Sequence, residues 1–245
     1  MIFQLVQQLI DQAIDTKLIE SEDEIYVRNQ ILSLLQLKEF SRKKWNSKTE
    51  LSIPDLLDLI IDYVCRHGMI ENIFDEKEIF SSKIMNCFIA RPSTINRVFY
   101  EKYKYNPIKA TNYFYELSKN SNYIQMNRIR NNIEYKYETE YGEMDISINL
   151  SKPEKDSKSI ELERMAEKRE YPKCLLCLEN EGYEGRIGHP ARSNHRMIRL
   201  NLVNENWYLQ YSPYMYYNEH CIVISEKHLD MKISHETFER LLSFV

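Results

Sequence analysis

Glycine is scarce in this chain, five residues in 245, against a usual share of roughly 7%. A phosphate site cradled by glycine backbone therefore has little to be built from, and neither a Walker loop nor a GxGxxG turn occurs. A basic excess is missing as well: 33 Lys and Arg face 37 Asp and Glu, a net charge of −4. That balance excludes the electrostatic footprint of a nucleic-acid binder. No apolar run approaches the roughly 18 residues of a membrane span. The opening MIFQLVQQLIDQAID has no basic flank and turns acidic at once, unlike a secretory signal. The cysteines at 65, 87, 174, 177 and 221 are odd in number and scattered, which fits a reducing compartment better than a disulfide framework. A nucleophile elbow, HExxH and His-x-His are all absent. The expectation is a soluble cytoplasmic protein of one or two domains, large enough to bury a core.

Helical periodicity dominates residues 1–130. Ile2, Leu5, Val6 and Leu9 make one apolar stripe. Ser21 with Glu24 predicts a capping box that opens a helix through Ile25, Ile31, Leu32 and Leu35. Ser52 and Pro54 start another over Leu56–Cys65, which Gly68 can end in a left-handed cap. Shorter helical patterns follow at Glu78–Ile89, Thr94–Tyr103 and Lys109–Lys119, where Tyr100, Tyr103, Tyr105, Tyr113 and Tyr115 read as helix packing. His67 is expected to meet the last carbonyls of its helix.

Near residue 133 the period changes to two. Ile133, Tyr135, Tyr137 and Thr139 alternate with polar residues, as do Met144, Ile146, Ile148 and Leu150, and Tyr141-Gly142 between them marks a hairpin. Residues 151–170 are highly charged and read as a solvated linker with a polar helix. Strands are expected at Met197–Val203, Trp207–Tyr211 and Cys221–Ser225, the first two split by Asn204-Glu205-Asn206. The division is thus a helical lobe (1–130), a hairpin and linker (131–170) and a sheet domain (171–245). A last helix, capped by Ser234 with apolar positions Phe238, Leu241, Leu242 and Val245, carries no stop signal. The parental fold is expected to continue past Val245.

Chemistry-bearing residues concentrate between 171 and 228. Cys174-x-x-Cys177 can bite one tetrahedral zinc. A reduced thiol pair without metal and a redox pair remain open beside that reading, although the strand and helix of a thioredoxin-like context are not evident. His228, at the end of CIVIS, is the natural third ligand, with His220 as competitor. His189 and His195 lie among Arg186, Arg192, Arg196 and Arg199, where guanidinium forks suit an anion; an exposed, salt-bridged turn is the plainer explanation. Trp207, Tyr208, Tyr211, Tyr214, Tyr216 and Tyr217 could stack a base or simply fill a core.

The runs PKCLLC, ENEGYEGR, HPARSNHR, WYLQYSPYMYYNEHCIVISEKH and MKIS, with YVRNQIL, NYFYELSKNSNYI and ETEYGEMDISINLSKPEKD upstream, resemble the second, bacterial class of galactose-1-phosphate uridylyltransferase. The resemblance runs to Val245 and covers about the first half of a family chain. It implies an α+β fold, with a helical N-terminal lobe followed by part of an antiparallel-sheet histidine-triad-like nucleotidyltransferase domain. It implies exchange of UMP between UDP-glucose and galactose-1-phosphate in the Leloir pathway, through a covalent uridylyl-histidine. By resemblance, zinc falls to Cys174, Cys177 and His228. The nucleotide falls to Gln210–Tyr217, with Gln210, Tyr211, Ser212 and Tyr217 as contacts and Arg192 and Arg196 on the phosphates. A homodimer is implied, and no organic cofactor. The nucleophilic histidine is expected beyond Val245, which leaves residues 1–245 inactive by themselves. The rivals are a non-catalytic module that binds UDP-sugars or zinc, and a CxxC redox or zinc-structural protein.

Overall fold

A computed structural model describes residues 1–41, 49–152, 154, 157–167, 169–230 and 232–244. The architecture is α+β. Helices α1 (Ile2–Asp15), α2 (Glu24–Leu34), α3 (Ile53–Arg66), α4 (Phe74–Asn86), α5 (Pro92–Tyr105), α6 (Pro107–Asn120) and the short α7 (Met126–Ile129) come first. The hairpin β1 (Ile133–Thr139) and β2 (Gly142–Ile148) follows, then α8 (Ser157–Met165). Strands β3 (Ile198–Leu202), β4 (Glu205–Tyr211) and β5 (Cys221–Ser225) form an antiparallel sheet in the order β3-β4-β5, and α9 (His235–Phe244) ends the described chain.

Local chemistry explains most boundaries. Ser52 and Asp55 make a reciprocal capping box at α3, with Pro54 in its first turn. Gly68, at φ +67°, lets Gly68 N and Met69 N donate to Cys65 O and Val64 O, closing that helix in a left-handed turn. His67 Nδ1 lies 2.8 Å from Tyr63 O, as the helix-end reading required. The capping box expected at Ser21 does not form. Ser21–Asp23 is a 3-10 turn, and the Glu24 carboxylate is held by Arg28 and by Gln7 Nε2 at 3.1 Å, so it cannot reach back to the cap. Ile25 is exposed, and Val27, Ile31 and Leu32 carry the buried stripe of α2.

Two further boundaries shift. The β1–β2 turn is Glu140-Tyr141 rather than Tyr141-Gly142, and Gly142 belongs to β2. The β3–β4 turn is Val203-Asn204, both at positive φ, and Glu205 and Asn206 belong to β4. This is the two-residue geometry whose twist matches the flanking strands. Tyr105 is almost wholly exposed and takes no part in helix packing. Met231 and Val245 lie outside the described residues.

Two apolar cores position the rest. The first joins α1, α2, α3 and α4 around Leu9, Ile10, Ile31, Leu56 and Ile60. The second joins α5 and α6 to one face of the sheet through Phe99, Phe114, Ile198, Leu209 and Tyr211, and so takes in residues on both sides of residue 130. Asn96 stitches this seam, donating to Met197 O at 2.9 Å and accepting from Arg199 N at 2.7 Å.

Candidate functional site

The segment before β3 folds on itself through its own backbone. Arg186 and His189 exchange hydrogen bonds, Gly182 N donates to Arg192 O at 3.1 Å, and Arg192 N donates to Tyr183 O at 2.8 Å. Gly185, at φ +94°, is required here, because a Cβ would stand 2.7 Å from the Ala191 Cα. Buried Asn180 ties this loop to the cysteine turn. Its Nδ2 donates to Cys174 O and Cys177 O, each at 2.8 Å, while its Oδ1 lies 2.8 Å from His189 Nε2. Asn180 escaped the sequence reading because an asparagine following a CxxC carries no signal until the loop has closed around it.

Cys174 Sγ and Cys177 Sγ stand 3.1 Å apart, and His228 Nδ1 lies 2.9 Å from Cys177 Sγ across 51 residues of chain. One ligand atom from each of the three falls within 4.8 Å of the others, so the group could hold a metal ion. Two sulfurs and an imidazole form a donor set suited to zinc, and the 3.1 Å and 2.9 Å separations would each open by about 0.6 Å to reach tetrahedral bond lengths. Burial, and then the hydrogen bond shared with Cys174, push the Cys177 thiol up to about 11, a shift that a dication would reverse. His220 is not in the group; its ring packs on Tyr216 and Tyr217, each at 4.8 Å. The triad forms one wall of a groove of about 720 Å³ whose floor includes Trp207, Ile222 and Ile224.

The four arginines separate sharply. Arg196 is buried and spends its fork on the protein: Nε on Ala90 O (2.9 Å), Nη1 on Ser193 O and His195 O (2.8 Å each), Nη2 on Asn86 Oδ1 (2.7 Å). It is a clamp between the end of α4 and the segment leading into β3. Arg186 holds Tyr171 O and the Tyr183 hydroxyl. Arg199 stands exposed on β3. Arg192 lies over the Tyr123 ring at 5.5 Å, donates to its neighbour's Ala191 O, and makes no ion pair among the described residues. It borders a small polar cavity with Glu78, Asn122, Gln125, Asn194 and Tyr214.

The two histidines expected to join an anion site do not carry charge there. His195 is fully buried and stacked on Tyr123 at 4.2 Å, and burial, then Arg192, hold its pKa far below the ordinary range. His189 is lowered to about 4 by burial, then by Arg186 and Arg192. Both are neutral near pH 7, because the low-dielectric interior penalises the imidazolium. Tyr211 is core: its ring packs between Phe114 at 5.3 Å and Tyr115 at 5.2 Å. Gln210, one residue earlier, is buried with Nε2 making no hydrogen bond among the described residues. Ser212 is half-buried, its N–H donating to His220 O at 3.0 Å, and Tyr217 is exposed.

An α+β chain with a partly buried arginine-rich loop, and a two-thiol, one-imidazole cluster just past the end of an antiparallel sheet, has the elements of a sheet domain that could hold a metal. Residues 17–230 match the family model described as galactose-1-phosphate uridyl transferase, N-terminal domain. The galactose-1-phosphate uridylyltransferase of Clostridium perfringens (strain 13 / Type A) is 53% identical over 241 residues, covering 98% of this chain and 48% of that protein. That of Fusobacterium nucleatum subsp. nucleatum is 45% identical over 241 residues, with 98% and 47% covered. That of Butyrivibrio fibrisolvens is 42% identical over 246 residues, with 100% and 63% covered. No solved structure matches. The chain belongs to the galactose-1-phosphate uridylyltransferase family. It spans about half the length of most of the curated relatives it matches. Among the described residues, no helix is long and apolar enough to cross a membrane.

Proposed function

We propose that this chain contributes the metal-binding and nucleotide-facing half of a cytoplasmic UDP-glucose–hexose-1-phosphate uridylyltransferase of the Leloir pathway. The observation that carries this reading is the convergence of Cys174, Cys177 and His228 within 4.8 Å, in a chain whose relatives bear the name of that enzyme. In the reaction, a histidine attacks the α-phosphorus of UDP-glucose, the P–O bond to glucose-1-phosphate breaks, and a uridylyl-histidine forms. Galactose-1-phosphate then takes the uridylyl group. That nucleophile lies outside these 245 residues, so the chain by itself transfers nothing.

Cys174, Cys177 and His228 would hold zinc, which when bound would cross-link the turn before the loop to the segment after β5. Arg192, whose fork donates only to Ala191 O among the described residues, offers it to a phosphate, and Gln210 Nε2, without a hydrogen bond among the described residues, offers a donor to a ligand oxygen. Ser212 and exposed Tyr217 complete the ligand face. Arg196 and Tyr211 act behind it, as scaffold. Residues 171–245, backed by α5 and α6, form the start of the nucleotidyltransferase sheet, and the whole enzyme works as a homodimer.

Metal analysis of the purified chain tests the centre: one zinc per chain is expected, falling to none in Cys174→Ser or His228→Ala. A metal-free wild type prepared in zinc-containing buffer would remove it. Titration with UDP-glucose is expected to give binding without turnover. Hexose-1-phosphate-dependent UDP-sugar exchange by the 245 residues alone would overturn the placement of the nucleophile.

A further inference from the structure

The loop between β4 and β5 carries Ser212 and Tyr217, and it is held from outside. Four successive carbonyls of this loop accept hydrogen bonds from the segment 125–149. Gln125 N donates to Pro213 O at 3.0 Å, and Asn149 Nδ2 to Tyr214 O at 3.1 Å. Asn132 Nδ2 donates to Met215 O at 2.9 Å, and Ser147 Oγ to Tyr216 O at 3.5 Å. The two asparagines stand side by side because the β1–β2 ladder ends on the pair Ile133 and Ile148, immediately inside them. Their oxygens share one partner. Ser151 N donates to Asn132 Oδ1 at 2.9 Å and to Asn149 Oδ1 at 3.1 Å, and Ser151 Oγ donates to Asn149 Oδ1 at 2.6 Å. Ser151 is buried. A backbone N–H can only donate and a carbonyl can only accept, so each carboxamide must turn its oxygen to Ser151 and its nitrogen to the loop.

Left to itself, the connection 212–220 would sample many shapes, and a ligand would have to order it on binding, at a cost in affinity. We propose that Asn132 and Asn149 are positioning residues for the nucleotide, holding this loop in its ligand-facing shape through the Met215 and Tyr214 carbonyls before the ligand arrives. Met215 is buried in the second core, so its carbonyl fixes how deep the loop sits. Tyr214 lines the small polar cavity that Arg192 also borders. The clamp therefore sets the loop and the Arg192 guanidinium relative to one another, and a ligand that spans both meets a face already formed. It also gives the β1–β2 hairpin a task, since closing the ribbon is what brings Asn132 and Asn149 together. The inference rests on the ligand-face reading above and adds two residues that act through the loop.

Calorimetric titration of UDP-glucose against Asn132→Asp and Asn149→Asp tests it. Aspartate keeps the acceptor that meets Ser151 and lacks the donor that meets the loop, so it breaks the clamp at one atom. Asn131→Asp, exposed and next in sequence, adds the same charge outside the clamp. Each clamp variant is expected to bind UDP-glucose about tenfold more weakly, with unchanged circular dichroism, while Asn131→Asp binds as the wild type does. Backbone amide relaxation by NMR on the ligand-free wild type gives a readout free of mutation, in which residues 214–217 are expected to be as rigid as β4. Clamp variants that bind as tightly as the wild type, a control that weakens equally, or a wild-type loop that stiffens only when UDP-glucose is added each overturn the clamp and leave the ligand face standing. A wild type that binds no UDP-glucose overturns the ligand face and the clamp together.

Discussion

Arg196→Met deletes four hydrogen bonds in one step and tests the proposal that Arg196 is scaffold while Arg192 meets the ligand. The guanidinium holds Ala90 O, Ser193 O, His195 O and Asn86 Oδ1 at 2.7–2.9 Å, in a site only 8% exposed. Methionine fills the space of the aliphatic stem but donates nothing, so buried acceptors lose their partner. Hydrogen bonds to a charged donor contribute about 1.5–3 kcal/mol each, and relief from burying the cation offsets part of their loss. A net cost of about 3–5 kcal/mol follows, which for a domain of this size lowers the melting temperature by roughly 10 °C. Arg192→Met is the counterpart. Its guanidinium touches only the Tyr123 ring and Ala191 O, so its removal costs about 1 kcal/mol or less. Affinity for UDP-glucose should fall in the reverse order, with Arg192→Met weakened and Arg196→Met retained while it stays folded. Urea unfolding followed by circular dichroism, with calorimetric titration of UDP-glucose below the transition, measures both quantities. An Arg196→Met chain that unfolds with the wild type but no longer binds would refute the assignment.

Two further predictions follow from burial. The folded pKa of His189, about 4, lies below its unfolded value of about 6.5, so as pH falls the unfolded chain takes up the proton first. Stability is therefore complete above pH 6.5 and declines toward pH 4, by about 3 kcal/mol at most from this residue. His195 adds in the same direction and Glu181, raised by burial, opposes it. Urea midpoints at pH 7 and pH 5 check the sign, and a midpoint that rises on acidification contradicts it. Phe114→Ala removes the ring lying edge-on to Phe99 at 6.4 Å and beside Tyr211 at 5.3 Å, at a cost of about 3–5 kcal/mol. Because that ring joins α6 to β4, the helices and the sheet should lose structure in one transition; two separated transitions would show that the second core is not shared.

Much of the fold was legible because its signals are local. The Ser52 box, the Pro54 start and the Gly68 stop of α3 act within one turn of helix. The alternation of residues 133–148 assigned the two faces of the hairpin, but its register is set by the two-residue turn Glu140-Tyr141, one place before the Tyr141-Gly142 signal. The Ser21 box failed because its glutamate had a competing cation, Arg28, one turn further on. The polar run points to a turn at Asn204-Glu205-Asn206 and not at Val203-Asn204, because a valine at positive φ is not a turn signal, although the strand twist demands it. In the site, the thiol pair and its histidine were readable as types. Asn180, which braces both cysteine carbonyls, was not.

The sequence by itself determined the element types, the family, the metal-ligand chemistry and the amphipathic pattern of the hairpin, since each follows from residue identity and short-range spacing. Tertiary structure alone decided which arginine is spent and which is free, and which histidines are kept neutral. It also decided that His228 meets Cys177 across 51 residues. Those outcomes depend on burial and on distances between remote segments. Four arginines alike in sequence differ only in what the fold places around them.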